Sequence, residues 1–182
     1  MKKLAFAFSA VVFCLLLSCN ESETKAPAYE GGMSEKAKKN LDNTTAVIKM
    51  FASGDFSKAG DYIAADGVDH TPPPPHSEVK GLDSLMALFK EMAGTMADAK
   101  NEVVQGVADD DYSMVWVKQS WTQKTDDPMM GMKAGQRGDM QSVEVCKHGA
   151  DGKITDHWSF MYMPDMMKMM PQAPGDTSKP KK

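Results

Sequence analysis

Four places in this 182-residue chain combine residue types that could do chemistry. The first is Ser142-Val143-Glu144-Val145-Cys146-Lys147. Its alternation reads as a strand with Ser142, Glu144 and Cys146 on one face and Val143, Val145 and Lys147 on the other. A carboxylate held against an apolar wall can exchange a proton with a C–H acid. The same pattern also allows valines turned toward helices and Glu144 in water. The second place is His70, at the end of an extended piece (Gly67 to Thr71) and against the stiff run Pro72 to Pro75. An imidazole there could stand over a pocket mouth as a donor or base, or could simply tie the loop down. His76 on the same loop reads as solvated, and His148 as a turn residue. The third is the pair His157-Trp158, adjacent on a strand and therefore on opposite faces. Ile154, Asp156, Trp158, Phe160 and Tyr162 make the more aromatic side; His157, Ser159, Met161 and Met163 make the other.

The fourth is sulfur. The chain has 17 methionines. The run Met161-x-Met163-x-x-Met166-Met167-x-Met169-Met170 resembles the clustered thioethers of envelope copper proteins, since soft sulfur suits Cu(I). Many of the chain's methionines have a cheaper explanation as adaptable packing: Met86, Met92 and Met96 lie on or beside a helical stripe, and alternation assigns Met161 and Met163 to one strand face. Only Met166 to Met170 lack a place in an element, and Cu(I) binding there is the alternative the sequence leaves open. Other chemistry finds no motif. There is no phosphate-cradling Gly-rich loop, no Cys-x-x-Cys and no Gly-x-Ser-x-Gly elbow. Asp109-Asp110-Asp111 lacks the spaced oxygens and glycine of a Ca²⁺ loop and reads as a solvated hairpin turn. The sequence calls for no metal and no cofactor. A net charge of −4 offers no basic face to displace counterions from nucleic acid. Three cysteines are too few for a disulfide scaffold.

The elements that must position these residues follow from periodicity and punctuation. Lys2 and Lys3 precede an apolar run, Leu4 to Leu17, which is too short to span a bilayer but suits a signal peptide. It ends in Leu16-Leu17-Ser18-Cys19, which resembles the bacterial lipobox, where a lipid is attached to the Cys; an ordinary cleaved signal is the alternative. Residues 1–18 are therefore expected to be a lipoprotein signal peptide. Loss of Lys2 and Lys3 takes the net charge to −6. Residues 19–33 read as the lipidated Cys19 and a flexible tether of roughly 20 Å mean reach. This places the protein on the bacterial cell envelope, periplasmic or outer-surface, held to the membrane by the anchor at Cys19.

Ser34 is a suitable N-cap for a helix with Leu41, Thr44, Ile48 and Phe51 on one stripe, stopped by Gly54. Asp55 caps a short helix using Phe56, Ala59 and Ile63, and a third helix runs from Gly81 through Leu82, Leu85, Phe89, Met92 and Met96. The period then changes: Asn101 to Ala108, Tyr112 to Gln123, Asp139 to His148 and Lys153 to Met163 read as strands, with turns at Asp109 to Asp111 and Gly149 to Gly152. Helices first and then a meandering antiparallel sheet make an α+β class. The domain is expected over residues 34–163, and residues 164–182 are expected to be a disordered Met-, Pro- and Lys-rich tail apart from a short helix from Asp165 to Met170.

Three segments resemble one family. His70-Thr71-Pro72, followed by Gly81 opening a helix, is similar to a His-x-Pro then Gly pattern. Met130-Gly131-Met132-Lys133-Ala134-Gly135 is similar to a Gly-Ile/Met-Pro-x-Thr-Gly hairpin with one residue fewer. Glu144-Val145-Cys146-Lys147 through Gly152-Lys153-Ile154-Thr155-Asp156-His157-Trp158 resembles an acid-Ile-Phe-Arg strand, a turn, then Gly-Lys-Ile-x-Glu-His-Trp. The family is the SnoaL-like polyketide cyclase branch of the nuclear transport factor 2-like superfamily. The resemblance implies a cone-shaped, cystatin-like domain, its curved antiparallel sheet wrapped around N-terminal helices and one deep pocket, and a homodimer formed through the sheet. It puts Glu144 where catalytic members carry a pocket Asp, with His70 as the second catalytic group. Trp158 and Phe160 are then expected to line the pocket, with Trp116 and Met114 completing the wall and His157 on the outer, dimer-forming face. The occupant would be a small hydrophobic molecule, and the chemistry acid–base isomerisation or cyclisation. Two departures bear on that chemistry: Gln123 to Pro128 lacks the hairpin His of cyclase members, and Lys147 replaces the usual Arg. A non-catalytic ligand-binding or scaffold lipoprotein is the competing expectation.

Overall fold

The computed structural model describes residues 32–128 and 130–169. Helix α1 (Glu35–Ser53) starts where the sequence pattern puts it: Ser34 is extended at φ −62° and ψ 161°, and its Oγ accepts the Ala37 N–H at 3.0 Å. Gly54 ends it in the left-handed region, at φ 69°, where a side chain would be strained. The next helix, α2 (Ala59–Tyr62), is one turn long, and Ile63 already belongs to β1 (Ile63–Asp69). After the proline loop come β2 (Val79–Lys80) and α3 (Leu82–Gly94). Met96, expected on the third helical stripe, instead opens β3 (Met96–Ala108), because α3 stops at Gly94. The remaining elements are β4 (Tyr112–Gln123), β5 (Arg137–His148), β6 (Ile154–Met161) and α4 (Met163–Met169).

The six strands form one sheet in the order β2-β1-β6-β5-β4-β3. Every neighbouring pair is antiparallel except β1 with β6, which is parallel. Register shifts in β3, between Ala97 and Lys100 and between Val103 and Gln105, mark the bulges that bend a sheet and increase its twist. Asp98, with φ 50°, sits at the first of them. The result is the expected α+β architecture: a curved sheet with α1 across β3 and β4 and with α3 against β1. Val115 and Val117 on β4 are fully buried against Ile48 of α1. Phe51, Phe56 and Phe89 join α1 to α3, with ring centroids 4.6–5.9 Å apart. On β5, Gly138 leaves room for the ring of buried Trp121; a Cβ there would lie 2.5 Å from it.

A polar seam fastens α1 to the two hairpin turns. Asn40 donates to the carbonyls of Asp109 and Asp110, Asn43 to that of Gly152, and Lys39 to that of Asp151. His148 is part of this seam rather than a turn residue. It is buried at the end of β5, donates from Nδ1 to the Gly152 carbonyl at 3.0 Å, and accepts at Nε2 from Ser113 Oγ at 2.9 Å. Ser113 in turn meets Thr44 Oγ1 at 2.7 Å. Burial disfavours the imidazolium and lowers the His148 pKa below its ordinary 6.5.

Among the described residues no helix is long and apolar enough to cross a membrane. The segment Leu4 to Leu17 and Cys19 lie outside them, as does Met170.

Candidate functional site

A cavity of about 250 Å³ opens between α1, α3 and the concave face of the sheet. Its body is apolar, with Val47, Phe51, Phe89, Met92, Met96 and Trp121 among the lining residues. Its chemistry is concentrated where β1, β6 and β5 lie side by side. Cys146 of β5 pairs with His157 of β6, and His157 pairs with Asp69 of β1. Alternation turns Glu144, His157 and Asp69 to the same concave face, and all three line the cavity.

His157 stands between the two carboxylates. Its Nδ1 lies 3.1 Å from Asp69 Oδ1 and its Nε2 lies 2.8 Å from Glu144 Oε2. Burial works against the charged ring, but the hydrogen bonds to Asp69 and Glu144 outweigh it and hold the His157 pKa well above 6.5. Both ring nitrogens are then donors. For Asp69, burial raises the pKa, but the bond and charge of His157 and the Thr71 N–H at 3.0 Å win and lower it. Glu144 is fixed from its other side. Ser142 Oγ and Ser159 Oγ both donate to Oε1, the latter at 3.1 Å, and Gln119 Nε2 donates to Ser142 Oγ at 3.2 Å. With Oε1 filled and Oε2 holding one N–H, a single acceptor position remains on Oε2. The Cys146 thiol beside this group is buried, and burial pushes its pKa up, so it is protonated and not a nucleophile.

The sequence-predicted residues divide cleanly. Glu144 is in the cavity, 8% exposed. His70, expected as the second catalytic group, does not line this cavity. One position past Asp69, it points to the convex face, bonds Glu78 Oε2 through Nδ1 at 3.1 Å and Asp156 Oδ1 through Nε2 at 2.9 Å, and stacks on Trp158 with centroids 4.7 Å apart. Those contacts tie both ends of the proline loop to the sheet. Trp158, Phe160, Trp116 and Met114 do not line the cavity either. They share the convex face with Val143 and Val145, through the register Trp116–Val143–Phe160 and Met114–Val145–Trp158. The reason is parity. Once Glu144 faces inward, its valine neighbours face outward, and the residues paired with them must follow. His157, expected outside, is inside for the same reason. Asp69 falls in the extended piece Gly67 to Thr71, but Ala64-Ala65-Asp66-Gly67 gives little sign of the full strand, and only pairing with β6 turns Asp69 into the cavity.

Among the described residues no group of three or more His, Cys, Asp and Glu is arranged to hold a metal ion. The acid–imidazole–acid row places two carboxylates within hydrogen-bond reach of one imidazole.

A profile of SnoaL-like polyketide cyclases matches residues 42–173, most of the chain and all three site elements. The chain belongs to the SnoaL-like polyketide cyclase family. No curated protein matches it by sequence. Solved structures share the fold at low identity. TsrD from Streptomyces laurentii is 16% identical, with a TM-score of 0.61 over 76% of this chain and 97% of its own. A SnoaL-like polyketide cyclase from Agrobacterium tumefaciens is 15% identical, with a TM-score of 0.58 over 71% and 95%. An LEH-like epoxide hydrolase from Mycobacterium tuberculosis is also 15% identical, with a TM-score of 0.58 over 75% and 87%. At such identities the likeness speaks to the fold and leaves the reaction to the site.

Proposed function

We propose that this SnoaL-like chain binds a small hydrophobic molecule in the cavity and carries out acid–base chemistry on it with Glu144. The observation that carries the reading is the buried Glu144, held by Ser142, Ser159 and His157 with one acceptor position left toward the cavity. Its Oε2 takes a proton from a carbon beside a carbonyl, the C–H electron pair moves into that carbonyl, and the proton returns at another atom of the same molecule. The net change is an isomerisation; where the enolate carbon instead attacks a second carbonyl of the same molecule and the proton returns to the new alkoxide, a ring closes, and both outcomes balance without a co-reactant. His157 and Asp69 hold Glu144 in place and supply the second acid–base group that the hairpin between Gln123 and Pro128 does not.

The test has two parts. Mass spectrometry identifies what co-purifies with the protein, and that molecule is incubated in D2O with the wild type and with Glu144→Gln. Deuterium uptake by the wild type alone supports the enzyme. Retention of the molecule with no uptake by either protein supports the competing reading, a non-catalytic binding lipoprotein.

Two further assignments belong to this reading. The chain is a cell-envelope lipoprotein anchored through Cys19, on the strength of the Leu16-Leu17-Ser18-Cys19 sequence. Labelled palmitate incorporated by the wild type and absent from Cys19→Ala is the expected result. It forms a homodimer through the convex face, where Met114, Trp116 and Phe160 are 48%, 41% and 58% exposed in a contiguous apolar band.

A further inference from the structure

We infer that the cavity selects an uncharged molecule that donates a hydrogen bond from one end, an alcohol, phenol or N–H compound, and that it rejects carboxylates, sulfates and phosphates of the same shape. The inference rests on the pocket reading above and narrows it to a ligand class. Among the described residues, two carboxylates, Asp69 and Glu144, and no lysine or arginine line the cavity. Arg137 donates to Ser120 Oγ at 2.6 Å but is not itself part of the lining. His157 is the one lining group able to carry positive charge, and both of its ring nitrogens already face carboxylate oxygens. An anion entering the polar end therefore finds no free cation to pair with, and meets a site with one net negative charge. A neutral His157 would leave the site more negative still.

What the polar end does offer is acceptors. Glu144 Oε2 keeps one open position, and the bonds of Asp69 to His157 and Thr71 both end on Oδ1, leaving Oδ2 for the cavity. A buried acceptor left without a donor is costly, so a ligand that brings an O–H or N–H gains over one of equal size that brings none. The remainder of the cavity asks only for hydrocarbon. Phe51, Phe89 and Trp121 give flat contact, and Met92, Met96 and Met140 adapt around it.

Three naphthalene probes separate the terms: 2-naphthol (neutral donor), 2-methoxynaphthalene (neutral, no donor) and 2-naphthoate (anion). Isothermal titration calorimetry on the full chain should give 2-naphthol at least a tenfold lower Kd than 2-naphthoate, and a lower Kd than the methyl ether. In Glu144→Gln the gap between naphthol and naphthoate should narrow at least threefold; Asp69→Asn provides the same reading if the first variant does not fold. Naphthoate binding as tightly as naphthol to the wild type overturns the inference while leaving a small-molecule pocket in place. Equal affinity for naphthol and its methyl ether overturns the donor requirement. Failure of folded protein to bind any of the three overturns the pocket reading and this inference with it.

Discussion

Replacing Glu144 with glutamine removes a charge and almost nothing else, so it isolates what the imidazole owes to that neighbour. His157 Nε2 lies 2.8 Å from the carboxylate, and the carboxylate is nearly buried. A charge-assisted hydrogen bond of this kind is worth roughly 1.5–3 kcal/mol. Since the His157 side chain keeps 27% of its exposure and retains Asp69, about 2 kcal/mol is the reasonable loss. For a domain of this size that lowers Tm by about 6 °C. The pH dependence makes the prediction specific. The folded-state pKa of His157 is raised, so its stabilisation is complete below 6.5 and is lost as pH climbs through the folded value. The gap in Tm between wild type and Glu144→Gln should therefore be widest near pH 6 and close in alkaline buffer. Thermal denaturation across that range, with NMR titration of the four histidines, reads both quantities. In the variant, the His157 resonance should titrate at lower pH than in the wild type. An unmoved His157 titration, or a Tm gap that does not change with pH, refutes the acid–imidazole–acid description.

The other predictions are briefer. Gly138→Ala drives a Cβ to 2.5 Å from the ring of Trp121, which is walled in, and should cost about 1–3 kcal/mol in chemical denaturation. Gly106→Ala makes a contact almost as short, 2.6 Å, but with the end of half-buried Leu41, which can rotate, so its loss should stay below about 1 kcal/mol. Lowered His148 implies the opposite pH sign from His157: its contribution is complete above 6.5 and is lost as pH falls from 6.5 toward the folded value. A His148→Gln variant should accordingly show a shallower decline in Tm between pH 6.5 and 5 than the wild type. Trp116→Glu, on the convex face, should shift sedimentation velocity from dimer to monomer with little change in far-UV circular dichroism.

How much of this was legible in the sequence depended on whether local pattern or pairing decided the matter. The cap at Ser34, the stop at Gly54, the turns at Asp109 and Gly149 and the alternation of β4 and β5 are local, and each appears where periodicity puts it. The inward orientation of Glu144 followed from the family resemblance and from the parity of Ser142 and Cys146. What failed was the assignment of faces on β6. A period of two says which residues share a side, not which side is the inside, and aromatic content was a poor guide because this convex face is itself apolar. β1 was legible only from Gly67 on: the Ala-Ala-Asp stretch before it becomes strand because β6 offers a parallel partner, and that pairing also sets which way Asp69 faces. With β1 went Asp69, and with β6 went His157, two of the three groups at the centre of the site.

The seam that ties α1 to the hairpin turns also fixes where the chain preceding the domain departs. Asn40, Lys39 and Asn43 hold the first half of α1 at Asp109 to Asp111 and Asp151 to Gly152, whereas the exposed cavity rim, Thr71 and Met161, belongs to the far end of β6. The eight residues of β6 separate the two ends by about 25 Å. A tether leading back to Cys19 would thus join the domain at the end opposite the cavity rim, so that an anchor of the kind proposed above need not cover the opening.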